Sequence, residues 1–376
     1  MSDGVVKGWC PDAWRPMMAG DGLLVRVKPR LGRLTRDQAL GLADAAILYG
    51  NGQIDMTRRA NLQLRGVTEG GWSLLLARLL ALDLVDEDAA RERARNIMVS
   101  PVWQQDDDNC RIAGTLEARL GELSATLPGK IGFVIDAGAA PMLRDQPGDF
   151  RIERSEAGGL MLRADGRSCG VAIGRGEEVD ALIALARWFV DSGGVVVGRM
   201  ARHDAPLPDW AIGSLQTAPD GHLLAKWGAE RRYGLAFGRI EAALLARLAA
   251  MLPEGAGIRI TPWRMLLMEV PVHLEDDSLL TDLNDPLLRV DACPAMPACP
   301  QATVETRDLA RRIAPHVTGG LHVSGCAKGC ARSQPAAVTL TGRDGLYDLA
   351  LDARAGAPPV RPALDRAGVL AHFGAA

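Results

Sequence analysis

The sequence predicts an α+β protein whose chain is divided into two related halves. Residues 22–67 carry the pattern of a strand, a helix and two further strands, and the same order returns over residues 233–270. The two strand–turn–strand pieces superimpose at a constant offset, and internal similarity of this kind indicates a duplicated structural unit. The matched positions are Ile54, Thr57, Leu62 and Leu64 in the first copy and Ile258, Thr261, Leu266 and Met268 in the second.

In the first copy, residues 23–27 form a short run of β-prone side chains. Residues 34–48 place apolar side chains at helical spacing, with Thr35 as the residue that caps the helix. Residues 53–57 and 61–65 alternate apolar and polar side chains, as strands with one buried face do. These patterns predict a strand, a helix and a β-hairpin in that order.

The second copy predicts the same elements. Residues 233–237 resemble a strand, residues 240–252 form an Ala/Leu-rich helical pattern, and residues 257–261 and 265–270 are strand patterns. Near the C-terminus, residues 352–362 are rich in Ala, Pro and Arg and are expected to be irregular.

Each repeat is followed by a segment in which strands and helices alternate. In the first of these segments, residues 131–135 predict a buried strand and residues 179–190 an amphipathic helix. The segments begin alike, with Ser100-Pro101 in the first half where the second half has Cys293-Pro294. We therefore expect two repeats and two α/β subdomains, with the domain ranges 1–85, 86–227, 228–285 and 286–376.

The composition is that of a soluble protein with 376 residues, 48% of them hydrophobic, 24% charged and a net charge of −3. This length suffices for two or three domains that each have a core. The lack of a basic excess argues against nucleic acid as a partner, and no apolar run approaches the roughly 18 residues of a membrane span. The first residues do not resemble a secretion signal. We therefore expect a cytoplasmic location, where disulfides are rare.

Four of the seven cysteines lie within residues 293–330. Cys293 and Cys299 are separated by five residues, and Cys326 and Cys330 by three, most of them small or proline. A [4Fe–4S] cluster needs four thiolates that converge on one cube, and short loops of small residues can bend around it. We predict that these four cysteines hold a [4Fe–4S] cluster, in the range 286–376, and that the other three are ordinary thiols, namely Cys10, Cys110 and Cys169.

A zinc site is the alternative that these residues leave open. His316 and His322 lie close by in the chain, and zinc sites often combine cysteine with histidine. The five-residue spacer is longer than that of most paired zinc ligands. The spacing and the four soft thiolate ligands favour the cluster.

The cysteine pattern resembles that of the sulfite and nitrite reductase superfamily. The second pair of cysteines lies within residues 322–330. Residues 56–66 are similar to a strand–turn–strand signature of that family, in which Arg59 matches an anion-binding arginine. Arg95 and Lys130 match two further basic residues of the family's active site. The resemblance implies a fold of two pseudo-symmetric halves, each with a ferredoxin-like repeat. It also implies that Arg59, Arg95 and Lys130 are catalytic.

The chain departs from sulfite reductases at two positions. Gly132 stands where they carry a second lysine, and Arg65 where they carry a histidine. Residues 8–11 and 16–26 resemble instead the precorrin-3B synthase branch of the superfamily. That resemblance implies a monooxygenase that hydroxylates precorrin-3A with dioxygen at C20 and closes a γ-lactone, giving precorrin-3B in aerobic cobalamin biosynthesis. The alternative is a sirohaem-dependent sulfite or nitrite reductase that takes electrons from ferredoxin.

The resemblance also implies a second iron centre, either a mononuclear non-haem iron or a sirohaem or haem iron bridged to the cluster by Cys330. NADH would supply electrons indirectly through a reductase or ferredoxin, and the next ring-contracting methyltransferase is a further expected partner. Precorrin-3A carries several carboxylates, which arginine binds through paired charge-assisted bonds. The residues expected to bind the substrate on this ground are Arg26, Arg58, Arg65, Arg264 and Lys328.

Overall fold

The computed structural model describes residues 10–123, 125–219, 221 and 227–375. Gly8 and Trp9, which carry part of the N-terminal resemblance, lie outside the described residues. Within these ranges the strands form four sheets of five strands each. No helix in the same ranges is both long and apolar enough to cross a bilayer.

The first half contains ten strands and six helices among the described residues. The strands are β1 (Met17–Ala19), β2 (Gly22–Val27), β3 (Arg33–Thr35), β4 (Gln53–Met56), β5 (Leu62–Val67), β6 (Ile97–Val99), β7 (Phe133–Asp136), β8 (Phe150–Arg154), β9 (Leu160–Ala164) and β10 (Val171–Ala172). The helices are α1 (Arg36–Tyr49), α2 (Glu69–Ala81), α3 (Ala89–Ala94), α4 (Asp108–Arg119), α5 (Glu178–Asp191) and α6 (Gly194–Val197).

The second half repeats the order of strands with fewer helices. Its strands are β11 (Arg232–Leu235), β12 (Arg239–Glu241), β13 (Gly257–Ile260), β14 (Met265–Met268), β15 (Leu279–Leu280), β16 (Val290–Ala292), β17 (Leu321–Ser324), β18 (Ala336–Arg343), β19 (Leu346–Ala353) and β20 (Arg361–Leu364). Its helices are α7 (Ala242–Ala250), α8 (Arg307–Ile313) and α9 (Arg366–Phe373).

The sheets of the two repeats exchange one strand with each other. Their strand orders are β1-β2-β5-β4-β12 and β15-β11-β14-β13-β3. The first-half strand β3 pairs with β13, and the second-half strand β12 pairs with β4. Leu34 and Ile240 were therefore wrongly predicted to be helical. Both are strand residues because each is paired across the two halves, Leu34 opposite Ile258 and Ile240 opposite Ile54.

The helices that follow the exchanged strands pack on each other. Thr35 caps α1 as predicted, since its hydroxyl accepts from the Gln38 amide at 3.1 Å and the Gln38 side chain accepts from the Thr35 amide at 3.0 Å. α7 begins only at Ala242, because β12 occupies the residues before it. Leu42 of α1 and Leu245 of α7 belong to one hydrophobic core to which both halves contribute.

Matched turns share an uncommon backbone conformation. Leu31 and Phe237 precede the exchanged strands with φ of 53° and 59°, and Ala60 and Arg264 lie in the two hairpins with φ of 53° and 61°. Positive φ is rare for residues other than glycine, so its repetition at matched positions supports a duplication. Phe237 also explains why the predicted strand over residues 233–237 ends at Leu235.

The other two sheets share one arrangement, with the orders β10-β9-β8-β7-β6 and β16-β17-β18-β19-β20. In each, three parallel strands are followed by two antiparallel ones. Ser100 and Cys293 follow matched strands, and their amides donate to matched carbonyls, Ile135 at 2.9 Å and Val323 at 3.3 Å. The predicted fold of two pseudo-symmetric α+β halves is confirmed, whereas the domain boundaries stay a prediction.

The C-terminal segment is more regular than predicted. β19 extends to Ala353, and Arg361–Leu364 form the edge strand β20, so only the connection between them is irregular. Pro362 lies inside β20, a position that an edge strand tolerates because one of its sides needs no ladder hydrogen bonds.

Candidate functional site

The four cysteines lie at the carboxyl end of the sheet formed by β16 to β20. Cys293 directly follows β16, and Cys326 follows β17 after one intervening residue, Gly325. Since β16 and β17 are parallel neighbours, the residues that follow them meet at one edge of the sheet. The Gly325 amide donates to Cys293 Sγ at 3.2 Å, which joins the two cysteine-bearing segments.

The Cys330 thiol lies within electrostatic reach of the other three cysteines. Burial raises the pKa of the Cys330 thiol, Lys328 lowers it, and the neighbouring thiols of Cys326, Cys293 and Cys299 raise it again. Such charge effects fall off with distance, so Cys293, Cys299 and Cys326 all lie in the neighbourhood of Cys330. Cys293 is buried, Cys299 and Cys326 are half-buried and Cys330 is exposed. Cys330 is therefore the most exposed of the four cysteines.

The first half shows that the fold itself brings two of these positions together. The connection from β7 to β8 has the same register as that from β17 to β18, so Met142 matches Cys330 as Ser100 matches Cys293. Ser100 Oγ contacts Met142 Sδ at 3.8 Å. In the first half these two positions are thus side by side, and the second half carries the thiols of Cys293 and Cys330 at the matched positions.

This donor set fits a [4Fe–4S] cluster. A four-iron cube holds its thiolates farther apart than a single ion does, and the Gly325 amide supplies the kind of N–H···S contact that tunes such clusters. In the described ranges, no three His, Cys, Asp or Glu side chains converge closely enough to hold one metal ion. His316 is exposed, and His322 lies on β17.

Arg65 supports the loop that carries Cys299. Its guanidinium forms two 2.9 Å bonds to Asp21, lies 3.4 Å from Asp55 and donates to the Ala298 carbonyl at 3.3 Å. The side chain is only 5% exposed, so the structure does not bring it to an open surface. It connects the first repeat to the cysteine loop, a role for which the sequence offered no pattern.

Arg95 is also an interior residue. Its guanidinium pairs with Glu92 at 2.6 Å and donates to the carbonyls of Lys28 and Leu84. Both Arg95 and Glu92 are buried. Burial lowers the pKa of the neighbouring Lys28 to about 8. The structure does not bring Arg95 together with Arg59 and Lys130.

Arg59 lies on Lys130, the second basic residue that the resemblance singled out. Arg59 donates to the Lys130 carbonyl at 3.0 Å, and it lines a small depression together with Asn61, Asn96 and Gly132. Burial, reinforced by the charge of Arg199, lowers the pKa of Arg59 to about 10. Arg59 thus supplies a basic side chain to this depression.

Arg199 was not identified from the sequence. It donates to the same Lys130 carbonyl as Arg59 and pairs with Asp149 at 3.0 Å. It belongs to no recognisable motif and lies 69 residues away from Lys130 in the chain. Only the fold brings it to the site.

Three arginines converge on Asp291, which lies on β16 and is 3% exposed. Arg332 approaches it to 2.8 Å, Arg58 to 3.5 Å, and Arg264 forms a further ion pair. Burial lowers the pKa of Arg264 to about 10, and the charges of its arginine neighbours contribute. Arg58 and Arg264 come from the two hairpins and Arg332 from the cysteine segment, so both repeats contribute to one basic group.

The two remaining predicted substrate-binding residues lie outside that group. Arg26 donates to Gln63 at 2.7 Å, and burial lowers its pKa although Cys10 and Asp12 act against this. Lys328 is exposed in the turn between Cys326 and Cys330. Asp291, which the sequence analysis missed, differs from its first-half counterpart Met98, and comparison of the halves would have singled it out. Arg332, also missed, would not have been found in this way, because the first half has Arg144 at the matched position.

Comparison with known proteins supports the reductase resemblance. Residues 15–82 match the family model described as the nitrite/sulfite reductase ferredoxin-like half domain. A precorrin-3B synthase from Sinorhizobium sp is 30% identical, over 94% of this chain and 84% of its own length. A ferredoxin–nitrite reductase from Synechococcus elongatus is 24% identical, over 89% of this chain and 78% of its own length.

A solved structure shares the fold. The NirA protein of Mycobacterium tuberculosis superimposes with a TM-score of 0.62 at 18% sequence identity, over 92% of this chain and 78% of that protein. At that level of identity the similarity concerns the fold alone. It extends over both halves, since it covers nearly all of this chain.

Proposed function

The chain belongs to the precorrin-3B synthase family, which shares the fold of nitrite and sulfite reductases, and we propose that it converts precorrin-3A into precorrin-3B. The proposed reaction is an oxygen-dependent hydroxylation at C20 with closure of a γ-lactone, a step of aerobic cobalamin biosynthesis. The family makes the chain an oxidoreductase. The observation that carries the proposal is that one sheet end carries four cysteines and, on and after its strands, a group of arginines around Asp291.

The cysteines support the redox part of the proposal. Cys293, Cys299, Cys326 and Cys330 would hold a [4Fe–4S] cluster, which supplies single electrons when bound. Cys293 is buried and Cys330 is exposed, so the residues that would hold the cluster include both an interior and a surface thiol. We further propose a second iron centre, and electrons that come from NADH through a reductase or ferredoxin.

The basic residues support the binding of a polycarboxylate substrate. Arg58, Arg264 and Arg332 surround a single carboxylate, Asp291, and therefore keep unbalanced positive charge for carboxylates of the macrocycle. Arg59, whose guanidinium donates to the Lys130 carbonyl, provides a second basic position. The residues of this chain would hold the macrocycle by its rim, orient its C20 edge and exclude water from the site.

Incubation of the purified holoprotein with precorrin-3A, a reductant and ¹⁸O₂ tests the proposal. We expect a product whose mass includes one oxygen atom from dioxygen. Unchanged substrate, with iron and sulfide contents that prove an intact cluster, would contradict the proposed reaction. Consumption of nitrite or sulfite under the same conditions would favour the reductase alternative, for which the nitrite reductase relative is the specific support.

A further inference from the structure

A buried histidine without hydrogen-bond partners lies next to the arginine group. His322 on β17 has no solvent exposure, and neither of its ring nitrogens has a partner among the described residues. Buried polar atoms are nearly always hydrogen-bonded, because an unpaired one lowers stability. A partner from outside the described chain would remove this cost.

The strands beside β17 determine what surrounds the imidazole. His322 lies opposite Asp291 of β16 and opposite Thr339 of β18, and residues paired in this way share one face of a sheet. The Thr339 hydroxyl donates to the Ala353 carbonyl at 2.8 Å, so it is engaged elsewhere. The other neighbours are the arginines that contact Asp291.

The group as a whole is positively charged. Burial lowers the pKa of His322 to about 4, and the charges of Arg332, Arg58 and Arg264 contribute, so the imidazole is neutral at physiological pH. Three guanidinium groups against the one carboxylate of Asp291 leave an excess of two positive charges. An anion is attracted to this place and a metal cation is repelled.

The first half shows that the fold does not require this polar group. The position of Asp291 is occupied there by Met98 and that of His322 by Val134. Met98 and Val134 form an apolar cluster with Leu143, against which Trp263 packs. The charged group thus belongs only to the half with the cysteines. A Cβ atom at Gly329, within the cysteine turn, would lie 3.6 Å from the imidazole.

We propose that Arg58, Arg264, Asp291, His322 and Arg332, here named the Asp291 group, form a subsite for one rim carboxylate of the macrocycle. This inference rests on the proposed function, which it makes more specific. Arg58 and Arg332 are 41% and 23% exposed, and Arg58 makes the longest contact with Asp291. Arg58 can therefore turn toward a ligand, whereas Arg332 is held by its Nε on the carbonyls of Gln334 and Pro335. The carboxylate that the two arginines bind also accepts the N–H of His322. Arg264 stays on Asp291 and the Val290 carbonyl.

Porphyrin binding to the holoprotein tests the subsite without any turnover. Uroporphyrin carries acetate and propionate groups, whereas coproporphyrin carries methyl groups in place of the acetates. Equilibrium dialysis gives the Kd of each for the wild type and for His322→Val, which installs the residue found in the first half. We expect about tenfold weaker uroporphyrin binding for His322→Val and at least as large a loss for Arg332→Gln, as for a lost hydrogen bond to a charged group.

Two further variants separate binding from packing. His322→Asn keeps an N–H donor and should recover part of the affinity. His316→Val and Arg343→Gln change an exposed histidine and an exposed arginine outside the Asp291 group and should bind as the wild type does. If the variants lose affinity equally for both porphyrins, the subsite binds a propionate. If they lose affinity for uroporphyrin alone, it binds an acetate.

Three results would overturn the subsite. One is a wild-type Kd for His322→Val and Arg332→Gln, together with a lowered Tm, which would make the Asp291 group purely structural. Another is the loss of bound metal from His322→Val at unchanged porphyrin affinity. The third is the absence of saturable uroporphyrin binding to the wild type. Failed hydroxylation by a protein that passes the binding test would instead count against the proposed reaction alone.

Discussion

Cys293 differs from its first-half counterpart by one atom type. Ser100 occupies the matched position, is 1% exposed and bonds to the matched carbonyl, so the fold accepts serine there. We predict that Cys293→Ser folds but loses its cluster, because a serine hydroxyl is a poor ligand for iron–sulfur clusters. Iron, acid-labile sulfide and visible absorbance measure the loss. Cys110→Ser is the matched control, and full iron and sulfide in Cys293→Ser would contradict the assignment of the ligand.

Asp136 makes the first half sensitive to pH. Burial raises the pKa of this carboxyl to about 6, although its Oδ2 accepts the amides of Met142 and Leu143 at 2.7 Å each. Because the folded state holds the proton more tightly than the unfolded state does, protonation stabilises folding. This stabilisation is complete below about pH 4 and is lost as the pH rises through about 6.

Asp136→Asn should therefore be more stable than the wild type at about pH 8, by at most about 3 kcal/mol. The advantage should shrink at about pH 5, where part of the wild-type carboxyl is protonated. Urea unfolding at the two pH values measures the difference, with Asp191→Asn at an exposed position as the control. If Asp136→Asn has the same free energy of unfolding as the wild type at both pH values, burial of the charged carboxylate does not lower the stability of the protein.

Site residues that lie close together in the chain were easier to predict than those that only the fold brings together. The cysteines could be predicted as cluster ligands because their short spacings are visible within the chain itself. Arg95 matched a family position, but a motif does not specify the direction of a side chain, and here the guanidinium lies against Glu92. Asp291 and Arg332 escaped notice because their meeting at 2.8 Å depends on the register of separate strands.

At the scale of secondary structure, the two exchanged strands lead into helices with different caps. Thr35 caps α1 with its side chain, whereas Glu241, at the matched position before α7, forms no side-chain cap. We predict that Thr35→Ala lowers the free energy of unfolding by about 1 kcal/mol, and that Glu241→Thr raises it by roughly 0.5–1 kcal/mol. Denaturant unfolding of both variants measures the two effects.

Thr115→Ala provides the control for this pair, since Thr115 lies inside α4 and its hydroxyl bonds to the Arg111 carbonyl of the same helix. It should not destabilise the protein. Destabilisation by Glu241→Thr would show that Glu241 has a role in β12, where it lies opposite Gln53, that outweighs the cap.

The prediction of secondary structure failed for strands whose pairing partners lie far away in the chain. The helical spacing of residues 34–48 correctly indicated α1, but its first residues belong to β3, whose partner β13 begins at Gly257. A strand of three residues has too few positions to display a period of its own. The segment becomes a strand because it pairs with the edge of β13, and the local sequence does not reveal this distant partner.

For the whole molecule, the exchange of β3 and β12 makes the halves interdependent. Each repeat sheet would lose one edge strand if the halves were separated, and the core shared by α1 and α7 would be exposed. Open strand edges and large apolar surfaces promote aggregation. The duplication was visible in the sequence because both copies keep their apolar patterns. The sequence did not show that each repeat supplies an edge strand to the sheet of the other.

We therefore predict that residues 1–227 and residues 228–376, produced separately, are insoluble or unfolded, and that their co-expression yields a soluble complex. The intact chain should unfold in a single cooperative transition over the two repeats, because their core is common to both halves. Affinity purification through a tag on one fragment, followed by calorimetry, measures both expectations. Two fragments that are each monomeric and unfold cooperatively alone would show that the repeats fold independently, and that the exchanged strands contribute little to the stability of either sheet.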